Sequence, residues 1–159
     1  MMRITSTNTL LSLMFIVMMN ATTLKSQSTV ATFSGTSATL VASQGALSGG
    51  FESLFNDGTS VTSSSISVSY YAADSSFYLT GTGTYSGSIC SVYTKLSRSG
   101  SNLILNQGSN GKGVRCWHPN CNYAPCSTPP VCTGSCNGVG SCEFIEVDFS
   151  PDGHMGSFY

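Results

Sequence analysis

Ser65-Ile66-Ser67-Val68-Ser69-Tyr70-Tyr71 leads through Ala73-Asp74-Ser75 into Phe77-Tyr78-Leu79-Thr80-Gly81-Thr82-Gly83-Thr84-Tyr85, and these two runs decide the fold. In the first, Ile66, Val68 and Tyr70 fall on one side and the serines on the other. In the second, Phe77, Leu79, Gly81, Gly83 and Tyr85 alternate with Tyr78, Thr80, Thr82 and Thr84. Successive side chains point to opposite faces only in an extended strand, so a period of two means half-buried β-structure. The short polar turn between the runs makes them the two arms of a hairpin.

The same pattern continues outward. Ser86-Gly87 turns the chain into a strand from Ile89 to Leu96, Arg98-Ser99-Gly100 turns it into Asn102 to Asn106, and Gly108 to Gly113 leads it to Val114 to Trp117. These spacings describe an antiparallel meander. Upstream, strands are expected at Thr29 to Phe33 and Ala38 to Ala42, about Ser34-Gly35-Thr36. Gln44 to Gly58, broken by Gly49-Gly50 and Asn56-Asp57-Gly58, reads as a loop with a single helical turn around Phe51 to Phe55. A last strand runs from Glu143 to Phe149, with Ile145, Val147 and Phe149 inward, and is stopped by Pro151 and Asp152-Gly153. The expected fold is all-β, an antiparallel sandwich or flattened barrel with a disulfide-rich irregular excursion before the last strand.

That excursion, residues 116–142, holds six of the seven cysteines: Cys116, Cys121, Cys126, Cys132, Cys136 and Cys142. Prolines at 119, 125, 129 and 130 remove backbone donors, and few apolar residues are present to order the segment, so cross-links are expected to hold it. Each disulfide would contribute about 2–4 kcal/mol. Cys90 is set apart on a strand, facing as Val92 does; it is either a buried thiol or one end of a long-range bridge. Connectivity does not follow from spacing. A zinc site on Cys116, His118, Cys121 and Cys126 fits poorly, because the paired C-x2-C or C-x4-C halves usual in structural zinc sites are missing and export disfavours free thiolates.

The amino terminus places Arg3 before the apolar run Leu10 to Met19 and the small polar stretch Asn20 to Ser26. That order is a signal peptide, about half the roughly 20 apolar residues a membrane span needs. Cleavage is expected after Ser26, with Thr23 as the alternative, leaving residues 27–159 as one secreted domain with no membrane span. Four basic residues then stand against seven acidic ones, a net charge of −3, which does not suit nucleic acid. Solubility falls instead to Ser, Thr, Gly and Asn.

Catalytic groups are scarce. His118 and His154 are the only imidazoles, and no nucleophile elbow, zincin helix or phosphate loop occurs. Glu146 and Asp148 lie about 7 Å apart on one strand face and read as a solvated outer surface. No enzyme activity, metal or cofactor is expected. Two surfaces are singled out: the row Tyr78, Thr80, Thr82 and Thr84, suited to sugar or protein contact, and the strand Thr29, Val30, Ala31, Thr32 and Phe33, read as an edge that could pair with a neighbour. The expectation is a secreted structural or adhesive surface protein, a candidate self-assembling filament or matrix subunit. Its partners would be further copies, another extracellular protein or a glycan. A monomeric glycan- or protein-binding module is the alternative.

Overall fold

The computed structural model describes residues 28–105, 112–119, 135–136, 139–141 and 143–148. The signal segment, its cleavage point, most of the cysteine-rich excursion and the inward placement expected for Phe149 lie outside the described residues. The elements, in chain order, are β1 (Ser28–Ser34), β2 (Ser37–Leu40), α1 (Gln44–Phe55), β3 (Ser60–Val61), a 3-10 turn (Ser63–Ser65), β4 (Ser67–Tyr71), β5 (Ser76–Tyr85), β6 (Ser88–Ser99), β7 (Asn102–Leu105), β8 (Lys112–Trp117), β9 (Ser135–Cys136), β10 (Val139–Ser141) and β11 (Glu143–Asp148). Every strand pairing is antiparallel.

The hairpin that decides the fold forms in the expected phase. Phe77, Leu79, Gly81 and Gly83 of β5 lie opposite Leu96, Thr94, Val92 and Cys90 of β6, and the apolar members of this set are buried in the main core. The strands do not form a simple meander, because β6 is long enough to fork. Its first half pairs with β8 and its second half with β7, so two wings leave the same edge: β7-β1-β2 and β8-β11. The first wing curls until β2 comes against β4 with no ladder between them, which gives a half-barrel and not two stacked sheets. Right-handed strand twist favours such curling. A separate two-stranded ladder, β9-β10, lies within the excursion.

The loop expected over Gln44 to Gly58 is corrected: residues Gln44–Phe55 form a three-turn helix. Ser43 caps it by accepting from the Ala46 amide, and Asn56 ends it in the left-handed region at φ 46°. Leu47, Phe51, Leu54 and Phe55 follow the i, i+4, i+7, i+8 spacing of one helical face, and all four are buried in the half-barrel. At about 1.5–3 kcal/mol per fully buried side chain, this face outweighs the cost of about 1 kcal/mol per internal glycine. The helix therefore fills the concave side that a second sheet would have covered.

Strand β3 crosses β5 where the pairing requires Gly83. A Cβ built there would lie 1.8 Å from the Ser60 carbonyl oxygen, and one on Gly81 would lie 2.9 Å from Ile66 Cδ1. The two glycines in the T-x-T run are thus sites of close approach.

Candidate functional site

The residues singled out in the sequence take different places. Tyr78 and Thr80 are buried, Thr82 is half-buried and Thr84 is exposed, so the row is no open array. Thr80 is bonded to the Ser67 hydroxyl at 2.9 Å, and the Tyr78 hydroxyl donates to Asp74 at 2.7 Å. Tyr78 meets Tyr93 edge-on at 6.0 Å, and both belong with Val114 and Cys116 to a small second cluster on the outer face. Burial and then the Asp74 contact raise the Tyr78 hydroxyl well above the usual tyrosine range, and burial lifts Tyr93 to about 12, so both stay un-ionised at neutral pH and well above it. Glu146 is exposed and paired with Lys112.

The edge position expected for Thr29 to Phe33 is also corrected. Strand β1 is bonded to β2 on one side and to β7 on the other, with Val30 and Ala31 fully buried. Only an exchange of the whole strand between chains would let it pair elsewhere. The side of the sheet it was expected to end is ended by β2.

Two polar constellations stand at different ends of the half-barrel, each built on an arginine that falls in phase with core residues. The first closes one end. Arg115 of β8 lies opposite Val92, is 2 % exposed, and pairs with Asp57 in the loop that follows α1. Its guanidinium also donates to Thr59 Oγ1 at 2.8 Å and sits 3.4 Å from the centre of the Tyr85 ring. Its Nε makes no hydrogen bond among the described residues. Trp117 packs edge-on to Tyr85 and donates from Nε1 to the Tyr85 carbonyl at 3.0 Å. Burial by itself would raise the Asp57 carboxyl, but hydrogen bonds from Thr59 and Arg115 outweigh it and hold the group below its ordinary value. Cys90, a free thiol with no exposure, lies opposite Trp117, and burial pushes it up to about 11. A neutral thiol with no access to solvent is a core residue and not a nucleophile.

The second constellation is open. The turns β1-β2, β4-β5 and β6-β7 meet at the other end. The Phe33 amide donates to the Ser101 carbonyl at 2.9 Å, and Arg98 Nη2 donates to the Ser75 carbonyl at 2.8 Å. Left-handed residues make these turns: Gly35 and Gly100 at φ 59°, where a side chain would be strained, and Ser75 at φ 55°. Beneath them Phe77 is flanked by Phe33 and Tyr70, each 5.1 Å away between ring centres. The Arg98 guanidinium lies 5.2 Å from both the Phe33 and Phe77 ring centres and is itself exposed. Neither arginine was singled out from the sequence, yet a signal existed. Arg98 is two residues beyond Leu96, and Arg115 two before Trp117, both on the inward phase of an alternating strand.

No group of three or more potential metal ligands occurs among the described residues. The chain matches no family model, no curated protein and no solved structure, so its function is argued from these residues alone.

Proposed function

We propose that the chain is a secreted structural or adhesive protein that works by presenting an uncharged β-surface, without catalysis. The observation that carries this reading is a row of side chains across four strands. Thr39 lies opposite Thr32, Thr32 opposite Asn102, and Asn102 opposite Ser99. Thr39, Thr32 and Ser99 are exposed and Asn102 half-exposed, at the strand spacing of about 4.8 Å. Ser34 and Ser37 add a second exposed pair, and no charged residue occurs from Ser28 to Phe51. A face of this kind gains by multiple hydrogen bonds to a surface and does not hold other molecules off by repulsion.

Secretion rests on the charged, apolar and then small-polar order of residues 3–26, and the cross-linked state of residues 116–142 on their crowding of cysteine and proline. The exposed row and Val41, 56 % exposed just beyond β2, form an uncharged face that suits lateral association of copies. The test is made on the full-length precursor expressed in its native host. The protein should be recovered outside the cytoplasm, shorter by about 23–26 residues, with no more than one free thiol after unfolding without reductant. It should either sediment above monomer mass or adhere to the producing cell's surface. An intact Met1 in the cytoplasm refutes the reading, and so does a secreted monomer that adheres to nothing.

A further inference from the structure

Four basic side chains lie among the described residues, and three of them are already paired: Lys95 with Asp74 at 3.1 Å, Lys112 with Glu146, and Arg115 with Asp57. Arg98 is the exception. Among the described residues it has no acidic partner and one hydrogen bond, to a backbone carbonyl, and its planar group is held against two aromatic rings. An exposed arginine normally samples many rotamers, and ordering one is costly. Here stacking and the Ser75 bond have already ordered it, while most of its five N–H donors stay unused. A pre-oriented guanidinium with spare donors is a receptor for a planar anion, and carboxylate is the group its fork matches.

The surroundings narrow the ligand. Thr36, Gly100 and Ser101 occupy the neighbouring turns and are exposed, offering hydroxyls and peptide groups that both give and accept hydrogen bonds. Phe33 and Tyr70 are half-buried and leave part of each ring at the rim. Hydroxyl partners beside aromatic rings suit a sugar. The lone cation does not suit a phosphate or sulfate polymer, which is held by clustered basic residues.

We propose that the open end of the half-barrel binds a hexuronic acid unit of an acidic polysaccharide, with Arg98 receiving the carboxylate and the three turns receiving the sugar hydroxyls. This assignment rests on the adhesive reading of the domain and names what it adheres to.

Calorimetric titration of the secreted, oxidised protein with trigalacturonate, and with neutral galactotriose, tests it. Trigalacturonate should bind and galactotriose should bind at least about tenfold more weakly, the loss expected for one charge-assisted contact. Arg98→Gln should remove the difference between the two sugars. Arg98→Lys should not restore it, because an ammonium neither stacks nor forms the fork. Lys95→Gln, which removes a paired charge elsewhere on the surface, should change affinity less than about threefold. Amide shift changes in the unmodified protein on adding trigalacturonate should centre on residues 33–37, 75 and 98–102, a readout that does not depend on any variant folding. Equal binding of the neutral sugar, unchanged binding by a folded Arg98→Gln protein, or shifts centred elsewhere would each overturn the proposal, as would tighter binding of triglutamate. If the protein adheres to its cell surface but fails these tests, the adhesive reading survives and the uronate site does not.

Discussion

Removing the carboxylate of Asp57 should destabilise the domain far more than its position in a loop suggests. Arg115 is 2 % exposed, and among the described residues Asp57 is its acidic partner. Breaking a buried pair from the less buried side leaves an uncompensated guanidinium in the core, at a cost of about 3–5 kcal/mol. Asp57 keeps 26 % side-chain exposure, so water partly replaces it, and Thr59 and the Tyr85 ring remain in contact. The lower end, about 3 kcal/mol, is the expected cost of Asp57→Ala. Arg115→Met should cost less, about 1–2 kcal/mol, because the released carboxylate can turn to solvent while methionine fills the space. The double variant should be more stable than the sum of the two, with a coupling of about 1–3 kcal/mol. Urea unfolding followed by tryptophan fluorescence measures all three, since Trp117 packs against Tyr85 at this end. With a slope of about 1–3 kcal/mol per molar, Asp57→Ala should lower the midpoint by 1 M or more. The pH dependence has a defined sign. The Asp57 carboxyl is depressed in the folded state, so its stabilisation is complete above the unfolded value of 3.8 and is lost as pH falls through the lower folded value. Asp57→Asn should therefore flatten the stability curve below about pH 4. A cost under about 0.5 kcal/mol for Asp57→Ala, with no coupling to Arg115→Met, would refute the argument.

Gly83→Ala should detach β3 from β5, because the new methyl would meet the Ser60 backbone, and overpacking of this kind costs about 1–3 kcal/mol; an unchanged melting temperature would contradict it. Phe51→Ala should cost about 3–5 kcal/mol if α1 is the filling of the half-barrel, and a cost below about 1 kcal/mol would show that it is not. Cys90, pushed up to about 11 and fully buried, should resist a thiol reagent at pH 8 until the protein unfolds; immediate labelling would place it at the surface. Deleting residues 28–33 should unfold the domain, since it removes the strand that carries Val30 and Ala31 and joins β2 to β7; recovery of a folded monomer would mean that β1 is dispensable after all.

The strands were legible because alternation is a local property. Ile66, Val68 and Tyr70 against serines, and Phe77 and Leu79 against Tyr78 and Thr80, can be read without knowing what lies opposite. The helix was hidden for a composition reason. Gly49-Gly50 lower helix propensity and, with Asn56-Asp57-Gly58, read as a loop, whereas the decisive feature is the 4-3-1 spacing of Leu47, Phe51, Leu54 and Phe55. Topology was less accessible still. That β6 pairs with both β7 and β8, and that β1 sits inside the sheet, depends on ladders between residues far apart in the chain. The threonine row failed as an open surface for the same reason. Burial of Thr80 and Tyr78 comes from neighbouring strands and from Asp74, which no periodicity along β5 can reveal.

The two arginines show how one residue type is put to opposite uses by its surroundings. Both occupy the inward phase of a strand, both lie over an aromatic ring, and both accept their geometry from the half-barrel. Arg115 is enclosed and neutralised by Asp57, so its charge is spent on joining the loop after α1 to β8. If Arg98 served the same purpose, an acidic residue should face it, and a suitable one is near: Asp74 lies in the adjoining turn, next to the Ser75 carbonyl that Arg98 does contact. Asp74 is instead taken by Tyr78 and Lys95. The hydrogen bond from Tyr78, and then those from Lys95 and Ser76, keep its carboxyl below the ordinary value, so it remains an anion committed to other partners across the neutral range. A stability role alone would be met better by pairing Arg98 with Asp74 directly. The arrangement leaves one cation oriented, exposed and uncompensated at the open end, and the simplest physical account of that surplus is an anion supplied from outside the chain.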